Sequence, residues 1–248
     1  MIERRRFIAT GAAGLMVGGC DRLNNSSNFR GVLRSAEKLT MASQRLISSR
    51  DALAREYGEA DMSPIFRSNG TRVPGGDAYA RHAAEQFANW RLVVDGLVTR
   101  PLSVPIQTLR RLPVRTQITR HDCVEGWSAI GKWHGVQLSR ILEYAGLSTR
   151  AKYIVFHCAD RFGDKPYYES IDLVDAFHPQ TILAWGMNGH LLPIPNGAPL
   201  RLRVERQLGY KHAKYVERVQ AVESLSDIYG GKGGYWEDNV DYEWYAGI

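Results

Sequence analysis

Residues 117–128 read Gln-Ile-Thr-Arg-His-Asp-Cys-Val-Glu-Gly-Trp-Ser. The first three are suited to a strand, and Cys123 comes directly after it, ahead of the turn former Gly126. Neighbouring cations lower the pKa of a thiol, so Arg120 and His121 are expected to favour the thiolate at Cys123. Three roles compete for such a cysteine. It could be a hydrolase nucleophile with His121 or another histidine as base, a partner in a disulfide with Cys158, or a metal ligand. Residues 126–131 carry one residue too many for a Gly-x-Ser-x-Gly elbow, and no local cysteine-protease signature is present, so the hydrolase has little support.

Outward from this stretch, residues 90–94, 153–157 and 200–204 are further short strands, rich in β-branched or aromatic residues. Leu138–Ala145 and Leu173–Ala176 read as short helices between them. The order is mixed, without a βαβ rhythm or an internal repeat, which predicts a single α+β domain built on mixed sheet. Residues 63–76 form a long loop punctuated by Pro64, Asn69-Gly70 and Pro74-Gly75-Gly76. Upstream, Val32, Leu39, Leu46 and Leu53 recur every seven residues and predict a helix over residues 31–57.

In residues 200–204, Arg201 and Arg203 share one face while Leu200, Leu202 and Val204 share the face toward the core. Asn196 and Gly197 precede them in a turn; Lys211, His212 and Lys214 follow. The set suits an anionic, hydrogen-bond-rich ligand such as a phosphorylated heterocycle. The alternative is a solvated basic edge strand. The run Gly230-Gly231-Lys232-Gly233-Gly234 could cradle a phosphate, but no helix is expected after it, which makes it weak evidence alone.

Composition narrows the classes. Of 248 residues, 44% are hydrophobic and 23% charged, which excludes a disordered chain, a coiled coil and a polytopic membrane protein. The net charge of +6 is not gathered into basic runs, so no nucleic-acid partner is expected. Three cysteines without a Cys-x-x-Cys pair are too few for a disulfide scaffold or a zinc site.

Residues 1–20 read as an address. Charge stops at Arg6, and residues 7–19 are too short an apolar run to span a bilayer, which needs roughly 20 residues. Arg4-Arg5-Arg6-Phe7-Ile8 resembles the twin-arginine export motif, and Val17-Gly18-Gly19-Cys20 a lipoprotein cleavage box. The expected organisation is a leader (1–19), a polar linker (20–30), a helical segment (31–62) and a main domain (63–248). The expected location is the periplasm, with a lipid on Cys20.

Four blocks then occur in register: residues 123–128, 133–136, 167–170 and 196–201. Together they resemble the molybdopterin-dependent oxidoreductases of the sulfite oxidase fold, nearest the periplasmic reductases of protein methionine sulfoxide. The resemblance implies a molybdenum–molybdopterin cofactor with Cys123 as the metal ligand, and Arg120 is expected beside it as a catalytic residue. It places Asn196, Arg201, His212, Ala213 and Lys214 on the pterin and its phosphate. Cys158 stands where the family has a threonine, and Asn69 is the candidate for an upstream asparagine.

The resemblance also implies oxygen-atom transfer. The expected reaction is reduction of a small or protein-bound S-oxide, or an N-oxide, by a monomer fed from a membrane cytochrome b or a quinol-linked donor. Two alternatives are a sulfite oxidase passing electrons to a cytochrome and a non-catalytic cofactor- or solute-binding lipoprotein.

Overall fold

The computed structural model describes residues 26–248, so the leader and Cys20 lie outside the described residues. The chain divides into two compact units, Met1–Ser49 and Arg50–Ile248. In the first, α1 (Ser27–Ile47) takes in residues 27–30, which were expected in the linker, and the stripe positions Val32, Leu39 and Leu46. The helix stops at Ile47, ahead of Ser48-Ser49-Arg50-Asp51, where polar side chains compete for backbone hydrogen bonds. Leu53 therefore lies beyond it. Residues 50–62, expected with the helix, belong to the second unit: Tyr57 N donates to Ile118 O and Ser63 N to Ile130 O.

The second unit has two five-stranded sheets. One contains β1 (Arg91–Gly96), β2 (Leu102–Pro105), β5 (Tyr153–Phe162), β6 (Lys165–Asp172) and β10 (Val216–Val222), in the order β2-β1-β10-β5-β6. The β1–β10 pair is parallel and the rest antiparallel. The other runs β3 (Val114–Cys123), β4 (Trp127–Gln137), β7 (Ile182–Met187) and β8 (His190–Leu191), with β9 (Arg201–Arg203) also on β7. Short helices fill the connections: α2 (Asp77–Ala84), α3 (Ile106–Leu109), α4 (Leu138–Ala145), α5 (Leu173–Ala176) and α6 (Tyr235–Val240). The mixed α+β architecture is the one the order of elements predicts.

The main core draws on both sheets. Leu92, Val94, Phe156 and Val219 from the first meet Val136, Leu183 and Leu202 from the second. The α4 helix adds Leu138, Ile141, Leu142 and Ala145, an i, i+3, i+4, i+7 stripe buried throughout. Leu138, Ile141 and Leu142 each contribute about 1.5–3 kcal/mol on full burial. The second sheet is covered on its other face as well, by a cluster of Trp133, Ile182, Ala184, Met187 and Leu192 with Phe66 from the long loop. Hence every residue of β7 is buried and its sequence, Ile-Leu-Ala-Trp-Gly-Met, shows no alternation. Gly135 is required where β4 crosses β7 at a bulge, because a Cβ there would lie 2.1 Å from Leu183 O.

This double cover changes the reading of β9. Leu202 faces the main core as expected, but Arg201 and Arg203 are not a solvated edge. Both are fully buried against the Trp133 ring, at 5.4 and 4.3 Å from its centre.

Candidate active site

Cys123 is the last residue of β3, paired with Trp127 across a three-residue loop that closes with Gly126 at φ +84°. Alternation along β3 puts Gln117, Thr119, His121 and Cys123 on a buried face. Arg120 and Asp122 lie on the opposite face, where Arg120 Nε donates to Asp122 Oδ2 at 2.9 Å with its side chain half exposed. Arg120 therefore does not reach the side on which Cys123 points, contrary to expectation.

His121 is no cation either. Burial first, and then His212 and the nearby Arg203, Arg201 and Lys214, hold it neutral. Its Nδ1 is 3.0 Å from an Arg203 NH group. The Cys123 thiol is pushed up by burial; the Glu125 backbone N–H and Arg201 favour ionisation, and the Glu125 carboxylate opposes it. The expected thiolate is thus absent from the bare chain; the coordination of a metal would produce it. Cys123 and Cys158 are both free, which removes the disulfide.

Cys123 opens into a cleft of about 620 Å³, shared with Asn69, Asp160, Tyr167, His212 and Lys214 among others. Lys214 draws the walls together: its Nζ donates to Asn69 O at 2.6 Å, to Pro195 O at 3.0 Å and to Thr71 O. Behind them, Arg201 donates to Asn196 O at 3.1 Å and to Asn69 Oδ1 at 3.2 Å. Gly197, at φ +114°, lets this turn pass close; a Cβ would sit 3.0 Å from Lys214 Cβ and 3.3 Å from Arg201 Cβ. Ala213 is fully buried and serves through its backbone, its carbonyl accepting from Leu202 N at 2.8 Å. Cys158 lies in the interior of β5, its Sγ 3.9 Å from Phe156 O, while Asp160 two residues on reaches the cleft. The structure therefore brings Asn69, Cys123, Asn196, Arg201, His212, Ala213 and Lys214 together, with Cys158 behind the wall.

The electrostatics of this cluster are unbalanced. Arg203 is neutralised by Glu205 at 2.5 Å and Lys211 by two buried glutamates. Among the described residues no carboxylate ion-pairs with Arg201, which burial and then Arg203 bring down to about 9. Lys214 falls to about 7, by burial and then Arg201, and burial raises Asp160 to about 6. Asn196 Nδ2 and Arg201 Nε are buried donors with no hydrogen-bond partner, whereas neutral His212 donates from Nε2 to Gln207 O at 3.0 Å and keeps Nδ1 as an acceptor. Buried polar atoms are rarely left so; uncompensated cations beside orphaned donors form a receptor for an anion.

Several wall residues had no local signal in the sequence. Asp160 arrives from the far end of β5, and Trp236 and Tyr242 from the C-terminal segment. The glycine run 230–234 does lead into a helix, α6, and its cradle is filled from within: Gly230 N and Lys232 N each donate at 2.9 Å to the Asp238 carboxylate.

A family model described as the oxidoreductase molybdopterin binding domain matches residues 80–229. The chain belongs to this family, and it is an enzyme. It is 35% identical over 243 residues to a provisionally named protein-methionine-sulfoxide reductase subunit, YedZ1, of Azospira oryzae, covering 98% of this chain and 86% of that protein. A solved structure, the sulfane dehydrogenase SoxCD of Paracoccus pantotrophus, is 26% identical with a TM-score of 0.49; the match covers 57% of this chain and 41% of that one. The residues suit the cofactor of a molybdopterin oxidoreductase. A lone cysteine sulfur faces a cleft whose inner wall offers unpaired donors and cations to a phosphorylated pterin. Among the described residues no three His, Cys, Asp or Glu side chains converge as a metal site of their own, and no helix is long and apolar enough to cross a membrane.

Proposed function

We propose that this chain is an exported oxidoreductase that reduces an S-oxide or N-oxide, using a molybdenum–molybdopterin cofactor and electrons from a membrane donor. The observation that carries this reading is the meeting of the Cys123 sulfur, in one cleft, with Asn69, His212, Lys214 and the uncompensated Arg201 behind them. Cys123 would ligate the metal, soft sulfur being a suitable partner for molybdenum. Asn69, Asn196, Arg201, His212, Ala213 and Lys214 would hold the pterin and its phosphate, Arg201 and Lys214 through charge. The bound cofactor supplies two-electron oxygen-atom exchange. Tyr167, Tyr210, Trp236 and Tyr242 line the cleft and narrow it. Arg120 has no part in this reading.

The direction is supported by the Azospira relative, named as a subunit of a sulfoxide reductase, which also supports a separate electron-transfer partner. Residues 1–20 support export and a lipid on Cys20, which would concentrate the enzyme near a membrane donor.

The test begins with molybdenum analysis and electron paramagnetic resonance of Mo(V) in purified protein. Reduced viologen with methionine sulfoxide is expected to turn over. Fast sulfite oxidation with no S-oxide or N-oxide reduction reverses the direction, and protein that never acquires molybdenum ends the enzymatic reading. For export, replacing Arg4 and Arg5 together by Lys is expected to strand the precursor in the cytoplasm. Continued export of that variant assigns the general secretory route instead.

A further inference from the structure

A buried acid pair stands one side chain behind the cleft and is not used by the cofactor site. Glu169 lies on β6, Glu237 on α6, and Lys211 ends the short turn Gly209–Lys211 that carries Tyr210 to the cleft. None of the three is more than 1% exposed. Lys211 Nζ is 2.7 Å from Glu169 Oε2 and 2.6 Å from Glu237 Oε1. Glu169 Oε2 and Glu237 Oε2 also crowd the same point over Gly234: a Cβ there would lie 2.6 Å from the first and 2.0 Å from the second. Glu169 Oε2 is held by the Lys211 ammonium, and Glu237 Oε2 has no hydrogen-bond donor. The carboxyl groups therefore face each other as well as the lysine.

Two carboxylates and one ammonium, all ionised, would leave a net negative charge where no water reaches. Among the described residues Lys211 is the sole cation in ion-pair contact with either acid. The other groups nearby bring no compensation: Tyr167 on the same strand, Cys158 and Asp160 on β5, and the Tyr168–Asp238 pair beyond. Two like charges sharing a dry site leave one of them protonated. Burial, and then Glu237, push the Glu169 carboxyl well above the usual carboxylate range, with Lys211 opposing. Lys211 itself stays charged, because the two glutamates outweigh its burial.

The proton so held is close to the chemistry. Glu169 Oε1 is 3.4 Å from Tyr167 Oη, Tyr167 Oη donates to Tyr210 O at 2.8 Å, and Tyr167 lines the cleft with Cys123. We propose that Glu169 is a proton store for the cleft, passing its proton to Tyr167 Oη as the tyrosine gives its own to the oxygen that leaves the substrate. The inference rests on the reductase reading above. In that reaction the sulfur–oxygen bond breaks and two electrons from the reduced donor convert the S-oxide to a thioether. The oxygen leaves as water, taking one proton from Tyr167 and one from solvent in the cleft. Glu169 is left as a carboxylate paired with Lys211 and regains its proton by the same route before the next turnover.

Glu169→Gln keeps the shape and the neutral charge of the protonated acid, so it separates proton supply from structure. Infrared spectra of cofactor-free protein are expected to show a carboxylic acid carbonyl band that shifts in D2O and disappears in Glu169→Gln. In the holoenzyme, with reduced viologen and methionine sulfoxide, Glu169→Gln and Tyr167→Phe are each expected to keep the wild-type molybdenum content. Both are expected to lower kcat by about 10²-fold or more with little change in KM, and to lose the alkaline limb of the kcat–pH profile. Should glutamine not be accommodated, Tyr167→Phe removes a single hydroxyl and gives the same readout. An unchanged kcat and pH profile in both variants, or the absence of the carboxylic acid band, overturns the proposal while the reductase reading stands. Wild-type holoenzyme inactive on S-oxides and N-oxides overturns the reductase reading and the donor role with it.

Discussion

Arg201 and Arg203 sit two residues apart on one strand, both fully buried, yet their replacement by methionine should have opposite results. For Arg201, the fall from its ordinary value to about 9 in the folded chain corresponds to about 5 kcal/mol spent holding its charge at neutral pH. The sign is that of a base depressed by folding: the penalty is complete below about 9 and fades as the pH rises beyond it. Arg201→Met removes that penalty but leaves Asn196 O and Asn69 Oδ1 without their donor, which costs about 1–3 kcal/mol each. Cofactor-free Arg201→Met should thus range from about 3 kcal/mol more stable than wild type to about 1 kcal/mol less.

Arg203→Met instead strands the buried Glu205 carboxylate and should lose about 3–5 kcal/mol. Urea denaturation of protein made in a host without molybdopterin synthesis reads both, and at about 2–4 °C per kcal/mol the melting temperatures should separate clearly. In a cofactor-producing host, Arg201→Met should retain about 10–100-fold less pterin. The reasoning is refuted if cofactor-free Arg201→Met is destabilised as much as Arg203→Met, or if it retains its full complement of cofactor.

Cys123→Ser should fold and hold pterin while losing activity by more than the 10–100-fold typical of outer ligand partners, as read by molybdenum-to-pterin ratio and viologen assay. Gly197→Ala places a side chain at φ +114° against Lys214 and Arg201, and should lower stability by about 1–3 kcal/mol in thermal melts. Asp160 has a folded value of about 6 against 3.8 for the unfolded chain, so its contribution is present below 3.8 and is lost as the pH rises to about 6. Asp160→Asn should escape that loss and gain up to about 3 kcal/mol over wild type in denaturation at pH 8, with little difference near pH 4.

Much of the frame was legible from local chemistry. The helices Leu138–Ala145 and Leu173–Ala176 have the bounds their apolar spacing predicts, because a short amphipathic stripe and its turn residues are local signals. Cys123 could be singled out because a cysteine between a strand and a glycine turn is a local pattern, and Asn196-Gly197 could be placed in a turn for the same reason. Local pattern fails where a second layer intervenes. β7 was missed because both of its faces are buried, so the alternation that marks a strand is absent. Arg120 and Cys123 are close in sequence yet point to opposite faces of β3, and proximity along a strand is not proximity in space.

The charge state of the site is likewise a tertiary property. Arg201 and Arg203 cannot be told apart from their positions; only Glu205 folding back onto one of them leaves the other uncompensated and available to an anion. Glu169, Lys211 and Glu237 lie far apart in the chain with no spacing that joins them, and they become an acid pair only when β6, the 209–211 turn and α6 pack together without water. Sequence determined which residues could bind or turn. Burial, which only the packed chain sets, decided which of them are charged, which are paired and which are left waiting for a partner.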